Sequence, residues 1–235
     1  FPGNNKVEYI DRDIPKKLGE KEVLVKVSCC GLCGSDKRLY QDGTDYVPGH
    51  EIAGIIYSVG SQCNIKKGTR VIIYIPIFCG ECKYCLKGEN NRCQKISGLI
   101  GWQRDGGYAE YVCVPESNVI PIPDDISDED GVLLLDTIGT AAHGIRLALR
   151  RNPSETANEK TLVIGCGPLG LGVILTLQSF GFKKVFACDL SPERMNLAKE
   201  FGAIPYQNKE DSIEAEFSIV IEASGSATGR KTGIY

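Results

Sequence analysis

The stretch Leu162-Val163-Ile164 followed by Gly165-Cys166-Gly167-Pro168-Leu169-Gly170 constrains the fold more than any other part of the chain. A short apolar run, a G-x-G-x-x-G turn and a nearly unbroken apolar run from Leu169 to Phe180 spell a buried strand, a tight reversal and a helix laid on a sheet. In such a turn the first glycine permits the reversal and the second lets backbone approach a pyrophosphate. The third lets helix and strand close up, and the phosphates sit at the positive helix terminus. The alternation continues. Val185–Cys188 reads as the next strand, and Ser191-Pro192-Glu193 opens a helix that carries Met195, Ala198 and Phe201 and stops at Gly202. Residues 217–222 read as a further strand, so the pattern predicts a parallel α/β sheet. Asp189 closes the second strand, where a carboxylate can accept hydrogen bonds from the adenosine ribose and would repel a 2′-phosphate. NAD is therefore favoured over NADP, and nearby Arg194 is the residue that argues the other way. The plainer role for Asp189 is to cap the Ser191 helix region.

Upstream the texture differs. Residues 22–30, Ile52–Val59, Thr69–Pro76 and Gly107–Pro115 read as strands rich in Val, Ile and Tyr and punctuated by Gly and Pro. They predict a compact β-rich domain, a small barrel. Ser127-Asp128-Glu129-Asp130 sets a cap and an acidic first turn ahead of an apolar run, and a helical pattern continues to Leu149. Arg150–Lys160 is polar and reads as a surface turn or junction, dividing the chain into domains 1–150 and 151–235.

Between Pro76 and Gly98 lie Cys79, Cys82, Cys85 and Cys93, spaced C-x2-C-x2-C-x7-C. Such intervals let four thiolates turn onto one tetrahedral ion and leave no open position, which predicts structural zinc. Iron–sulfur ligation competes on spacing, and two disulfides are the blander reading. The surroundings (Lys83, Lys87, Glu89, Asn90, Asn91, Arg92) supply almost no core, so the lobe needs a metal to hold its shape. Eleven cysteines in 235 residues fit metal binding in a reducing, cytosolic compartment better than a disulfide framework. No charged-then-apolar leader opens the chain, which suggests no export, and the longest apolar run, around Val173–Leu177, is far short of a membrane span. The net charge of −3 gives no reason to expect nucleic acid or an anionic membrane as a partner.

A second candidate metal site draws on Gly31-Leu32-Cys33-Gly34-Ser35-Asp36 and Pro48-Gly49-His50-Glu51. Cys33 and His50 are a thiol and an imidazole on glycine-bearing turns, the ligand types of a catalytic zinc. For a third ligand the residues leave a choice. Asp136 ends an apolar run where an unpaired carboxylate is costly, Glu51 is a neighbouring carboxylate that could ligate or support, and His143 reads better as a hydrogen-bonded helix residue. Trp102, ahead of the Gly106-Gly107 turn, reads equally as a core aromatic or a pocket wall.

Taken together, Gly31–Asp36, Gly49-His50-Glu51, the cysteine lobe, Gly106-Gly107-Tyr108-Ala109-Glu110-Tyr111 and the glycine turn with Asp189 resemble the zinc-containing medium-chain alcohol dehydrogenases, in that family's order over nearly the whole chain. The resemblance implies a GroES-like catalytic domain followed by a dinucleotide-binding Rossmann domain, two zinc ions, an alcohol or carbonyl substrate and a homodimer or homotetramer. It implies Cys33, His50 and Asp136 as ligands of the catalytic zinc, the aspartate being like that of the threonine and formaldehyde dehydrogenase branches. Ser35 would pass the substrate proton outward. Many relatives carry a histidine where this chain has Arg38, a poor proton carrier at neutral pH. About four Rossmann strands are counted against the usual six, so the family's remaining strands are expected beyond the residues given. The competing expectations are a zinc-free reductase of the same superfamily, which would lack the cysteine lobe, and an NAD-binding scaffold without activity.

Overall fold

The computed structural model describes residues 1–149, 159–206 and 217–233. The chain forms two compact units, Phe1–Leu135 and Asp136–Tyr235. The first is built on a five-stranded antiparallel sheet of β1 (Glu22–Gly31), β2 (Glu51–Val59), β3 (Arg70–Ile73), β4 (Tyr111–Pro115) and β5 (Val119–Pro121), in the order β4-β1-β2-β3-β5. Alternate residues point inward: Val23, Val25, Ile56, Val71, Ile73, Val112 and Val114 make one buried cluster. The β1–β2 register slips between Val27 and Cys29, so the end of β1 pairs Cys30 with Ile52 and Gly31 with Glu51. That register sets the turn after β1, which carries Cys33, beside His50 and Glu51.

Two strands are shorter than their sequence pattern suggested. β3 stops at Ile73 because the buried Asn118 side chain takes over, donating from Nδ2 to the carbonyls of Tyr74 at 2.7 Å and Pro76 at 2.9 Å. β4 starts only at Tyr111, since Gly106, Gly107 and Tyr108 donate their N–H groups to Val47, Gly49 and Pro48. A seven-residue helix, α1 (Asp36–Asp42), follows Ser35.

Helix α2 (Asp128–Gly131) is capped by Ser127, whose hydroxyl accepts from Asp130 N at 3.0 Å. A π-turn over Leu134–Ile138 leads into α3 (Gly139–Leu149). Asp128–Leu149 is thus one run of 22 residues with a hydropathy of 1.3 in its most apolar window. It is the one helix among the described residues long and apolar enough, by length and composition alone, to cross a membrane. Asp136, Thr137, Thr140 and His143 hide it from a search for unbroken apolar runs.

In the second unit, β6 (Thr161–Ile164), β7 (Val185–Cys188), β8 (Ile204–Pro205) and β9 (Ile219–Glu222) form a parallel sheet in the order β8-β7-β6-β9. Helices α4 (Pro168–Ser179), α5 (Pro192–Glu200) and α6 (Ala227–Thr232) complete it. Val163, Val173, Ile174, Leu177, Val185 and Ala187 share a core with Ala141 and Ile145 of α3. That packing groups α3 with the second unit, and the two units meet in the chain at Leu135/Asp136. Most of the expected junction turn, residues 150–158, lies outside the described residues.

Two candidate metal centres and a glycine turn

In the lobe, the sulfurs of Cys79 and Cys93 lie 3.5 Å apart, those of Cys82 and Cys85 3.6 Å, and those of Cys79 and Cys85 4.0 Å. Thiolates 2.3 Å from a tetrahedral zinc stand about 3.8 Å from one another, so the four fit a single ion. The ligand atoms all lie within 4.8 Å, too close to ligate the separate irons of a multinuclear cluster. Among the described residues no disulfide joins the cysteines of the lobe. Backbone N–H groups aim at the sulfurs: Cys82 N at Cys79 (3.4 Å), and Cys79 N and Lys95 N at Cys93 (both 3.3 Å). The backbone of Cys85 and Gln94 pulls the Cys82 thiol down to about 6, which favours the thiolate a metal requires. The lobe's apolar residues do little for it; Leu86 is 74 % exposed.

The second cluster is assembled from distant stretches. One ligand atom each from Cys33, His50, Glu51 and Asp136 lie within 4.8 Å of one another. His50 and Glu51 are buried, and Asp136, the residue at which the two units join in the chain, sits on the π-turn of the long helix. The set of a thiol, an imidazole and carboxylates suits zinc. Asp36 supports it from behind. This aspartate is buried, accepts from Cys33 N at 3.0 Å and from the Tyr108 hydroxyl at 2.7 Å through Oδ2, and sets Oδ1 3.4 Å from His50 Nδ1. Burial pushes its carboxyl up, but His50, Tyr108 and the Cys33 N–H outweigh that and hold it below the usual carboxylate range. Trp102 closes another side, with its ring centroid 5.8 Å from that of His50 and Nε1 donating to Nδ1 at 3.2 Å. Ser35 is half-buried, and its side chain makes no capping hydrogen bond to α1. Arg38 points away, 80 % exposed, with Nε 3.5 Å from Asp42. His143 is exposed on α3, outside the cluster.

Glycines let these loops stack. Gly49 has φ +93°, and a β-carbon there would lie 2.8 Å from both Cys30 Sγ and Tyr108 Cδ1. Gly101, at φ +81°, brings the Trp102 turn so close that a β-carbon would lie 2.5 Å from the Gly49 carbonyl oxygen, and one on Gly106 would run into that same oxygen.

The glycine turn obeys the logic of its motif. Gly165 adopts φ +91°, and a β-carbon there would meet Ser224 N at 2.6 Å; one on Gly170 would strike the Gly165 carbonyl. At Gly167 nothing lies within 4 Å of the added carbon, leaving the face of the turn open to a phosphate group at the α4 N-terminus. Asp189 accepts from Cys166 N at 2.7 Å through Oδ2 and from Ser191 N at 2.8 Å through Oδ1. It thereby ties the turn to β7, with Arg194 Nη1 3.8 Å from Oδ2. Burial raises its pKa, yet these bonds hold it below the normal carboxylate range, so it is an anion.

Sequence reasoning gave no role to Asp36 or Tyr108 and left Trp102 undecided. Asp36 had one available signal, an acidic residue opening a helix just after a ligand cysteine. Tyr108 and Trp102 reach the site over 72 and 52 positions of chain, and had none.

Residues 19–124 match the alcohol dehydrogenase GroES-like domain. The uncharacterized zinc-type alcohol dehydrogenase-like protein YphC of Escherichia coli (strain K12) is 34% identical over 258 residues, covering 98% of this chain and 70% of its own. The crystal structure of galactitol-1-phosphate dehydrogenase from Escherichia coli superposes with a TM-score of 0.84 at 33% identity, over 97% of this chain and 68% of that one. An alcohol dehydrogenase from E. coli CFT073, complexed with NADH, gives a TM-score of 0.85 at 30% identity over 99% and 70%. The chain belongs to the zinc-type alcohol dehydrogenases of the medium-chain dehydrogenase family, with a GroES-like unit followed by a Rossmann unit. It spans between about half and 70% of the length of the first curated relatives it matches.

Proposed function

We propose that this chain carries the catalytic domain and part of the dinucleotide domain of a zinc-dependent, NAD-linked dehydrogenase acting on a secondary alcohol, polyol or amino alcohol. The observation that carries the reading is the convergence of Cys33, His50, Glu51 and Asp136 within 4.8 Å, in a chain that separately gathers four thiols in its lobe. When bound, zinc polarises the substrate oxygen as a Lewis acid and NAD exchanges the hydride. In this reading Cys33, His50 and Asp136 hold the catalytic metal, and Glu51 acts as a supporting or exchanging carboxylate. Asp36 orients the His50 ring. Ser35, two residues past the thiolate, passes the substrate proton outward. Arg38, turned to Asp42 and solvent, takes no part in that relay, and water and the ribose hydroxyl continue it. The open face at Gly167 and the α4 N-terminus receive the pyrophosphate, and Asp189 receives the ribose. Its negative charge favours NAD over NADP. Cys79, Cys82, Cys85 and Cys93 hold a structural zinc. Polyol chemistry is supported by the galactitol-1-phosphate dehydrogenase relative, a reducing cytosolic setting by eleven cysteines of which four stand at metal-ligand spacing, and a homodimer or homotetramer by the family pattern.

The test is metal analysis of the full-length protein with a screen of secondary alcohols, polyols and threonine against NAD and NADP. Two zincs per chain and NAD reduction are expected. One zinc, confined to the lobe, with no turnover would favour an NAD-binding scaffold.

A further inference from the structure

This inference rests on the reading of the second unit as a dinucleotide domain and adds a residue to it. The sheet order β8-β7-β6-β9 puts β7 on one side of β6 and β9 on the other, so the strand order reverses between β6 and β9. In an open parallel sheet a dinucleotide lies in the crevice beyond the strand ends at such a reversal. The register pairs Ile164 with Glu222, the last residues of the two strands, so the crevice has two lips. One lip is the glycine turn. The other is the turn 223–226, joined to the first by Ala223 N donating to the Ile164 carbonyl at 2.8 Å and by Ser224 pressed against Gly165.

The second lip is organised around one carboxylate. Glu222 Oε1 accepts from Ser224 N at 2.8 Å and from the Ser224 hydroxyl. That hydroxyl, its proton given to Glu222, accepts from Ser226 N at 3.1 Å and from the Ser226 hydroxyl at 2.9 Å. Ser226 Oγ in turn caps α6 by accepting from Gly229 N at 2.8 Å. The Ser224 hydroxyl and the N–H groups of Ser224 and Gly225 hold the Glu222 carboxyl below the usual carboxylate range, so it is an anion at neutral pH. The N–H groups of residues 223–226 are thereby all engaged within the domain, and the polar atoms the turn leaves to a ligand are acceptors. Such a lip takes hydroxyl or amino donors and gives a phosphate nothing to hold. We propose that Glu222 is a positioning residue for the dinucleotide: it ties up the donors of the β9 turn, so that this lip receives the nucleoside part of the ligand and leaves the pyrophosphate to the glycine turn.

The test is a titration of the full-length protein with NADH, followed by nicotinamide emission, which gives both the dissociation constant and the number of sites. Glu222→Ala releases the Ser224 and Gly225 donors and is expected to weaken NADH about ten-fold with one site per chain retained. A residue of merely structural importance would instead cost sites and leave the affinity of the surviving ones unchanged. Glu222→Gln keeps an acceptor oxygen at the same reach and is expected to stay within about three-fold of the wild type. Unchanged affinity in Glu222→Ala overturns the proposal, whether or not sites are lost, and so does a Glu222→Gln protein as weak as Glu222→Ala. Should Glu222→Ala fail to fold, Ser224→Ala, which removes the hydroxyl bridging Glu222 to Ser226, is expected to weaken NADH about three-fold, and unchanged affinity there overturns the proposal in its place. A wild type that does not bind NADH sinks the functional reading as well, whereas a wild type that binds it beside an unaffected Glu222→Ala sinks this inference alone.

Discussion

The two clusters reach similar dimensions by opposite routes. The lobe takes all four ligands from fifteen consecutive residues, 79–93, on turns with almost no core, and its sulfurs are aimed chiefly by neighbouring N–H groups. The other cluster draws on positions 33, 50, 51 and 136 and rests on a buried scaffold: the β1–β2 register, the Asp36–Tyr108 hydrogen bond and stacked glycines. A lobe of the first kind owes its shape to the metal, whereas a site of the second kind is shaped by the fold and then filled.

The contrast can be broken most forcefully at Cys33. Cys33→Ser should lower turnover by roughly 10³-fold or more and lose one zinc while the thermal midpoint stays nearly unchanged. A large fall in the midpoint would mean that this site, too, is held together by its metal. Cys82→Ser should do the reverse, lowering stability by about 2–5 kcal/mol with loss of the other zinc, as proteolysis within 76–98 would report. Resistance of that variant to protease would show that the lobe folds without its ion. Ser35→Ala should reduce turnover by about 10²-fold with both zincs retained, which stopped-flow hydride transfer and metal analysis check together; near-normal turnover would remove Ser35 from the relay. The smallest effect is expected for Asp36→Asn, which keeps an acceptor but loses the charge and should weaken the second zinc about ten-fold. An unchanged affinity would leave the scaffold without its electrostatic part.

The sequence made these regions legible to different degrees, and the reason is distance along the chain. The lobe, the glycine turn and helices α4 and α5 announce themselves because their signals lie within a few residues. Helix α1 did not, since only Asp36 and Leu39 of its seven residues are buried and two residues set no periodicity. β5 and β8, at three and two residues, are too short to show alternation. Cys33 and His50 were visible as residue types on glycine turns. Their convergence depends on the β1–β2 bulge and on pairings that no local window contains.

The glycine stack has a consequence for how this sequence can change. Gly101 and Gly106 both press on the carbonyl of Gly49, the residue directly before His50. A new side chain at either position would push on the peptide that carries the imidazole, and no single replacement at a neighbour restores the lost space. The three positions therefore form one inheritable block. Variation toward new substrates has to enter elsewhere on the rim of the site, and a randomised library that spares these glycines should retain far more folded members than one that includes them.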